Sequence, residues 1–319
     1  MSRTARHYVL LTLGLAGCLI GGLALLNFII DPYNRYGLNR LGVYISAERE
    51  CKSTYVTRYP HDALLMGNSR ENRTQPDRLK GFRFFNAAIS GATPEETYFF
   101  LQHFARHERL VVLPVDLGAH DPADRHGDIF APKGLTSAID NLLNLETTGY
   151  SIRTIFESFS KHPQRIGVDG TVPESNWIRV ASRNDPQAAA FAVNVLQSVW
   201  NGYHCPSLAQ MSDYVKIRDY LRDQAIPCVV VIPPMHEAVT QSLQSSPAAA
   251  EVAAWKRQLG TIFPQVVDLS FSSYGAATNF YPCDPLHFKT EVGVRLLNEE
   301  VLPVATRMLH GTPPTAAGR

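Results

Sequence analysis

The sequence predicts an α/β protein in which a five-stranded parallel sheet follows a single N-terminal transmembrane helix. An uncharged apolar run opens the chain, and five short apolar segments then alternate with amphipathic stretches. Strands separated by helices form parallel sheets with helices on both faces. Of the 319 residues, 45% are hydrophobic and 18% are charged, which excludes a disordered chain. The formal net charge of +1 argues against nucleic-acid binding.

The N-terminal run predicts a membrane anchor. Residues 8–30 contain no formal charge, and as a helix these 23 residues would be about 34 Å long, enough to cross a bilayer. The run is longer than the apolar part of a cleavable signal peptide, and Asp31 and Pro32 end it. The alternative is lipidation at Cys18, because residues 15–18 resemble a lipobox. Both readings place the globular part outside the cytoplasm. The spanning helix predicts a single-pass protein of the cytoplasmic (inner) membrane, with the globular domain in the periplasm or outside.

The strands and helices are predicted from their residue patterns. Short apolar runs with turn residues at their ends are typical of buried parallel strands, and Thr93-Pro94-Glu95-Glu96 is a capping box with proline at the first helical position. Strands are expected at residues 63–67, 82–88, 110–115, 227–232 and 265–269. Helices are expected at residues 94–106, 211–222, 248–259 and 291–308. Ligands of such sheets bind at the carboxyl ends of the strands.

Residues from about 119 to 207 interrupt the alternation of strands and helices. Helical stretches are predicted within them near residues 135–145, 152–159 and 186–200. We interpret this segment as an insertion that forms a lid or a wall of the substrate site, or that simply adds helical packing. The predicted domains are therefore an anchor (residues 1–30) and one α/β domain (residues 31–319) that carries the insertion.

Cysteine and metal-ligand patterns favour no metal or cofactor. The chain has five cysteines and no C-x-x-C spacing, so neither a zinc ribbon nor a thioredoxin-like motif is expected.

A serine follows the first predicted strand directly, in Gly67-Asn68-Ser69-Arg70. A serine on such a turn exposes its hydroxyl and directs its backbone N–H into the cleft, which suits nucleophilic catalysis. The alternative is a serine that caps a helix.

A second chemical pattern, Asp284-Pro285-Leu286-His287, precedes the last predicted helix. A carboxylate three residues before an imidazole can orient the ring, which can then take a proton from a serine. The alternative is a helix-capping aspartate with a surface histidine. After the second strand, Gly91 allows a backbone N–H to approach a substrate oxygen, or it is an ordinary turn glycine.

Together these segments resemble the SGNH hydrolase superfamily. Residues 67–69 resemble its first block, residues 86–91 its second and residues 284–287 its last. The resemblance implies a flavodoxin-like three-layer sandwich, with Ser69 as nucleophile, His287 and Asp284 as the other triad members, and the N–H groups of Ser69 and Gly91 in the oxyanion hole.

The third block departs from the family. The asparagine that supplies an oxyanion donor there is missing, and Asp116 could replace it only if protonated. The sequence is more similar to a divergent membrane-anchored branch, which includes the alginate O-acetylation proteins and the D-alanyl transfer protein of teichoic acids. Its N-terminal anchor, the Asn-x-x-x-Asp-Pro-Tyr segment at residues 27–33 and the serine-arginine turn fit that branch.

Three further residues are candidates for the site. The Asn68 amide is the best replacement for the missing oxyanion donor, or it stabilises its own turn. Arg70 is predicted to bind a carboxylate or phosphate of the substrate, or to lie at the surface. His236 follows the fourth strand, where it would line the substrate cleft or serve as a structural histidine.

The function expected from these residues and the resemblance is that of an extracytoplasmic serine esterase or O-acyltransferase. Its substrate would be an ester of the cell envelope or of an exopolysaccharide, and its partners the membrane and polysaccharide-modifying or membrane acyltransferase proteins. The alternative is a non-catalytic scaffold of the same fold within a polysaccharide-modifying envelope complex.

Overall fold

A computed structural model describes residues 2–43, 47–117, 127–131, 135–160, 166–172, 181–183, 185–201 and 208–310. The chain forms two compact units. The first comprises Met1–Thr54 and Pro132–Ile166, and the second comprises Tyr55–Ala131 and Gly167–Arg319. This division differs from the expected boundary after residue 30, because part of the predicted insertion belongs to the unit that contains the N-terminal helix.

Short strands and longer helices make up the described residues. The strands are β1 (Ala63–Leu65), β2 (Phe84–Asn86), β3 (Leu110–Pro114), β4 (Cys228–Ile232), β5 (Val266–Asp268), β6 (Phe280–Tyr281) and β7 (Asp284–Phe288). The helices are α1 (Arg3–Ile30), α2 (Glu48–Tyr55), α3 (Pro94–Phe104), α4 (Leu135–Leu143), α5 (Leu145–Ser158), α6 (Pro186–Asn201), α7 (Leu208–Asp223), α8 (Glu237–Gln244), α9 (Ala248–Ile262), α10 (Thr290–Leu296) and α11 (Leu302–Leu309).

The second unit contains the predicted five-stranded parallel sheet. Its strand order is β2-β1-β3-β4-β5, which is the flavodoxin-like order. Leu65 lies opposite Asn86 on β2 and opposite Val112 on β3, so the carboxyl ends of these strands meet at one edge. The central strands are buried on both faces, which explains their continuous apolar sequences. The α/β fold and all five predicted strands are confirmed.

The predicted helices of this unit are present, but α8 was not predicted and the closing helix is divided. Thr93 and Glu96 form the expected capping box at the start of α3. The closing helix, predicted as one element, is α10 and α11 joined by a π-helical turn at Leu297–Val301. Pro303 stands at the start of α11 and lacks the N–H that a regular helix would direct to the carbonyl of residue 299, which accounts for the wider turn.

The first unit is built around α1, the one helix among the described residues that is long and apolar enough to cross a membrane. Near its end, Asn27 is buried and donates to Leu142 O and Thr148 Oγ1, both at 2.9 Å, and accepts from Ser151 Oγ at 2.8 Å. The Asn27 side chain therefore joins α4 and α5 to α1. Asp31 caps α1 and accepts from the backbone N–H groups of residues 35, 36 and 38.

Candidate active site

Ser69 lies on the loop that follows β1, at the carboxyl edge of the sheet. The loop turns at Gly67, whose φ of +124° suits glycine, and a Cβ there would lie 2.6 Å from Glu71 Oε2. The N–H groups of Glu71 and Asn72 donate to Asn68 O at 3.2 and 3.1 Å, which closes a tight turn around Ser69. The Ser69 side chain remains partly exposed.

His287 and Asp284 lie on the short antiparallel hairpin β6-β7 and meet Ser69 in a hydrogen-bonded chain. Ser69 Oγ is 2.8 Å from His287 Nε2, and His287 Nδ1 is 2.9 Å from Asp284 Oδ2. Asp284 Oδ1 accepts from the backbone N–H groups of Leu286 and His287, which fixes the carboxylate. When Nδ1–H donates to Asp284, Nε2 is the nitrogen that accepts the serine proton. The His287 side chain is only 12% exposed, so it is not the surface histidine of the alternative reading.

The two backbone groups predicted for the oxyanion hole are the N–H groups of Ser69 and Gly91. Within the described residues, no acceptor forms a hydrogen bond with the N–H of Ser69 or of Gly91. Gly91 is exposed and adopts φ of +67°, and the space where a Cβ would project is empty. Both N–H groups are therefore available to a ligand oxygen.

The Asn68 side chain is engaged within the protein. Its Nδ2 donates to Asp116 Oδ2, and its Oδ1 accepts from the backbone N–H of Arg70 at 3.0 Å. These contacts match the alternative in which Asn68 stabilises the turn, and they do not support the predicted oxyanion donor. The physical reason is the charge of Asp116, which attracts the amide N–H.

Arg70 occupies a different place from the one expected. Its side chain is buried, Nη1 donates to Asp116 Oδ1 at 2.7 Å, and Nη2 donates to Pro234 O. The guanidinium also lies 5.3 Å from the ring centre of Phe288. Arg70 therefore joins the loops after β1, β3 and β4, and the prediction of a substrate-binding arginine is not supported.

Asp116 stands where the family pattern would place its asparagine. Both carboxylate oxygens accept hydrogen bonds, one from Arg70 and one from Asn68. A carboxylate used in this way is an acceptor, so Asp116 does not supply the missing oxyanion donor.

Glu71 is a residue beside the candidate site that sequence reasoning missed. It is buried at 4% exposure, and its Oε2 accepts from the Asn68 N–H at 3.2 Å. Burial, and then the neighbouring charge of Asp116, raises the pKa of the Glu71 carboxyl. No signal in the sequence distinguishes Glu71 from an exposed glutamate. Its carboxylate occupies space that a Cβ at Gly67 would otherwise fill, and this is visible only in the structure.

Asn86, the first residue of the predicted second block, ties this loop to β2. Its Nδ2 donates to the carbonyl oxygens of Glu71 and Thr74, and its Oδ1 accepts from the Ala88 N–H. The second block thus holds the serine loop in place through a fully buried amide.

His236 is the N-cap of α8. Its Nδ1 accepts from the Ala238 N–H at 3.2 Å, and its ring packs edge-on against Phe280 with centroids 5.2 Å apart. Burial lowers the pKa of His236, consistent with a neutral ring that accepts at Nδ1. These contacts match the structural alternative and do not support a substrate-binding role.

An apolar groove of about 500 Å³ borders the residues that carry the triad carboxylate. One wall is α6, which belongs to the predicted insertion, and the other is formed by residues 283–286. The α6 residues in the groove are Ala188, Phe191, Ala192, Val195 and Leu196. The later part of the predicted insertion thus forms a wall beside the candidate site. Residues 119–126 of that insertion lie outside the described residues.

No protein-family model matches this chain, and no curated protein matches it in sequence.

Proposed function

We propose that this chain is a serine esterase or O-acyltransferase that acts through Ser69, His287 and Asp284. The observation that carries the proposal is the continuous hydrogen-bonded chain from Ser69 Oγ through His287 to Asp284, assembled from segments 218 residues apart. The open hydroxyl, the oriented imidazole and the two unpaired backbone N–H groups are the parts that acyl transfer requires.

The proposed reaction has two halves. His287 Nε2 accepts the Ser69 proton as Oγ attacks the ester carbonyl, and the N–H groups of Ser69 and Gly91 bind the oxyanion. The C–O bond to the leaving alcohol then breaks, and that alcohol takes the proton from His287. Water or an acceptor hydroxyl next attacks the acyl carbon as His287 takes its proton, the bond between that carbon and Ser69 Oγ breaks, and His287 returns the proton to Oγ.

The acyl group would come from an ester of the cell envelope or of an exopolysaccharide, as the SGNH resemblance implies. The apolar groove beside Asp284 suits the apolar part of such an ester or of its donor. With Asn68 and Asp116 bonded to each other, the oxyanion donors we assign among the described residues are the backbone N–H groups of Ser69 and Gly91, so we expect slow turnover of small activated esters.

A second candidate function is a non-catalytic scaffold in a polysaccharide-modifying complex. The observation that favours it is the pairing of Asn68 with Asp116, which engages the two side chains considered as a further oxyanion donor. The intact Ser69–His287 hydrogen bond favours the enzyme.

The proposed location is the cytoplasmic (inner) membrane, with α1 as a single span and the catalytic unit in the periplasm or outside. Arg3 and Arg6 precede the apolar run and Arg35 and Arg40 follow it, so the flanking charges do not set the orientation, and the proposed orientation follows the resemblance. The partner class implied by the resemblance is a membrane acyltransferase of a polysaccharide-modifying system. An intact-mass measurement should find the N-terminus retained, whereas a chain that begins at Cys18 with added lipid mass would contradict the spanning helix.

The catalytic proposal is tested by ester cleavage in single and double variants. Ser69→Ala and His287→Ala should each abolish turnover, and the double variant should be no worse, because the residues act as one unit. Asp284→Asn should leave the fold intact and reduce the rate by up to about 10⁴-fold, through the wrong imidazole tautomer. Full activity or full biological function of Ser69→Ala would favour the scaffold.

A further inference from the structure

Helix α5 has its polar and apolar faces reversed relative to a helix of a water-soluble protein. The residues it buries are all hydroxyl-bearing: Thr147, Thr148, Ser151 and Thr154. Its outer face carries Leu145, Ile152 and Phe156, which are 78%, 44% and 73% exposed, and Phe159 follows at the C-cap with 82%. Intervals of seven, four and three residues place these four side chains in one stripe.

The buried polar face of α5 is explained by its contact with the end of α1. Asn27, in the last turn of α1, exchanges hydrogen bonds with Thr148 and Ser151. Small hydroxyl residues that bond across a helix pair are typical of helices packed inside membranes. Within the part of the chain that the structure describes, the stripe on the outer face of α5 is instead exposed.

The position of α4 and α5 along α1 indicates what covers the stripe. Helix α1 has 28 residues and is therefore about 42 Å long, whereas the hydrocarbon core is about 30 Å thick. Asn27 stands three residues before the end of α1, so α4 and α5 meet the span at its membrane boundary. Phe28 and Ile29 of α1 are also exposed, at 39% and 55%, and they continue the apolar surface at that level.

Charged and aromatic side chains mark a water-facing edge. At helical spacing, Glu146, Arg153 and Glu157 fall beside the apolar stripe of α5 rather than within it. Tyr33 and Tyr150 pack edge to face with ring centroids 5.6 Å apart, just beyond the end of α1. An apolar stripe with a charged edge and nearby tyrosines is the pattern of a helix that lies in the membrane interface.

We propose that α5, held by α4 and the end of α1, is an interfacial membrane helix whose Leu145, Ile152, Phe156 and Phe159 side chains insert among lipid acyl chains. The occupant of this face is the lipid bilayer itself. The proposal requires α1 to span the membrane but does not require catalysis, so loss of the proposed enzyme activity would leave it intact.

The test uses the full chain reconstituted in phosphatidylcholine vesicles with and without acyl chains brominated near the glycerol end. The single variants are Ile152→Trp, Phe156→Trp and Phe159→Trp, and each adds one fluorophore to the three native tryptophans. Quenching of the native tryptophans is measured separately in the parent protein. Each added tryptophan should lose most of its fluorescence in brominated vesicles. Because three positions are tested, failure of one variant to fold does not decide the outcome.

Two control variants sharpen the test. Arg153→Trp lies next to Ile152 and Glu157→Trp lies next to Phe156, and both positions are on the charged edge of α5 outside the stripe. Both should be quenched clearly less than the stripe positions. Equal quenching at stripe and control positions would overturn the proposal. Quenching at the stripe positions that is no stronger than in the parent protein would also overturn it, and is the result expected if a protein partner covers this face.

Discussion

Arg70 Nη1 donates a 2.7 Å hydrogen bond to Asp116 Oδ1, so the residue after Ser69 is tied to the loop that follows β3. The other terminal nitrogen of Arg70 reaches Pro234 O after β4. A single buried guanidinium therefore joins three strand ends beneath the candidate nucleophile. In this arrangement the Asp116 carboxylate is part of a structural ion pair.

Removing the carboxylate of this pair should destabilise the fold. In Asp116→Ala the buried Arg70 charge loses its partner, and the free energy of unfolding should fall by about 3–5 kcal/mol. The control is Asp223→Ala, which breaks the exposed Arg222–Asp223 pair and should change stability little. Denaturant unfolding in one detergent measures both. Equal effects of the two variants would show that the Arg70–Asp116 pair contributes no more than a surface pair.

The buried Glu71 carboxyl should make stability depend on pH. Its folded-state pKa is raised from the ordinary value of 4.5 by burial and by Asp116, so the folded state retains a proton that the unfolded state releases. The contribution of the protonated Glu71 to the free energy of unfolding is fully present below the ordinary pKa of 4.5 and is lost as pH rises through the raised pKa. Glu71→Gln, which is always neutral, should flatten this decline.

The measurement for Glu71 is the free energy of unfolding between about pH 5 and pH 9, the range in which buried glutamates titrate. Glu251→Gln, a substitution at an exposed position of α9, is the control and should keep the parent's profile. A Glu71→Gln profile as steep as the parent's would mean that another group causes the decline.

Filling the apolar groove should change which esters are cleaved. Ala192 lines the groove, and Ala192→Trp should reduce kcat/KM for an octanoyl ester by at least about tenfold while sparing the acetyl ester, because the longer chain loses its space. Asn194→Trp, on the same helix but outside the groove lining, is the control. A proportional loss on both esters would instead indicate a general disturbance of α6.

The strands and the members of the candidate triad were predictable because each rests on a local pattern. Apolar runs that end in turn residues identify buried strands, and parallel strands bring their carboxyl ends to one edge. That rule places the loop of Ser69 at the edge where ligands bind, and the three-residue spacing of Asp284 and His287 allows a direct contact.

The surroundings of the triad were not predictable, because they depend on contacts between distant segments. Arg70 pairs with a residue 46 positions away and with a carbonyl 164 positions away, so its sequence context is equally consistent with a surface arginine. The amide of Asn68 is drawn to the same aspartate. A helix was predicted near residues 152–159, but a helical pattern does not reveal which face of a helix is buried.

The most direct test of the account is mass spectrometry of the intact chain after reaction with a fluorophosphonate. The hydrogen bond from Ser69 Oγ to His287 Nε2 should make Ser69 reactive, so the adduct should map to the peptide that contains Ser69. It should be absent in Ser69→Ala and strongly slowed in His287→Ala. A folded parent protein that forms no adduct, or forms it on another residue, would contradict the proposed nucleophile.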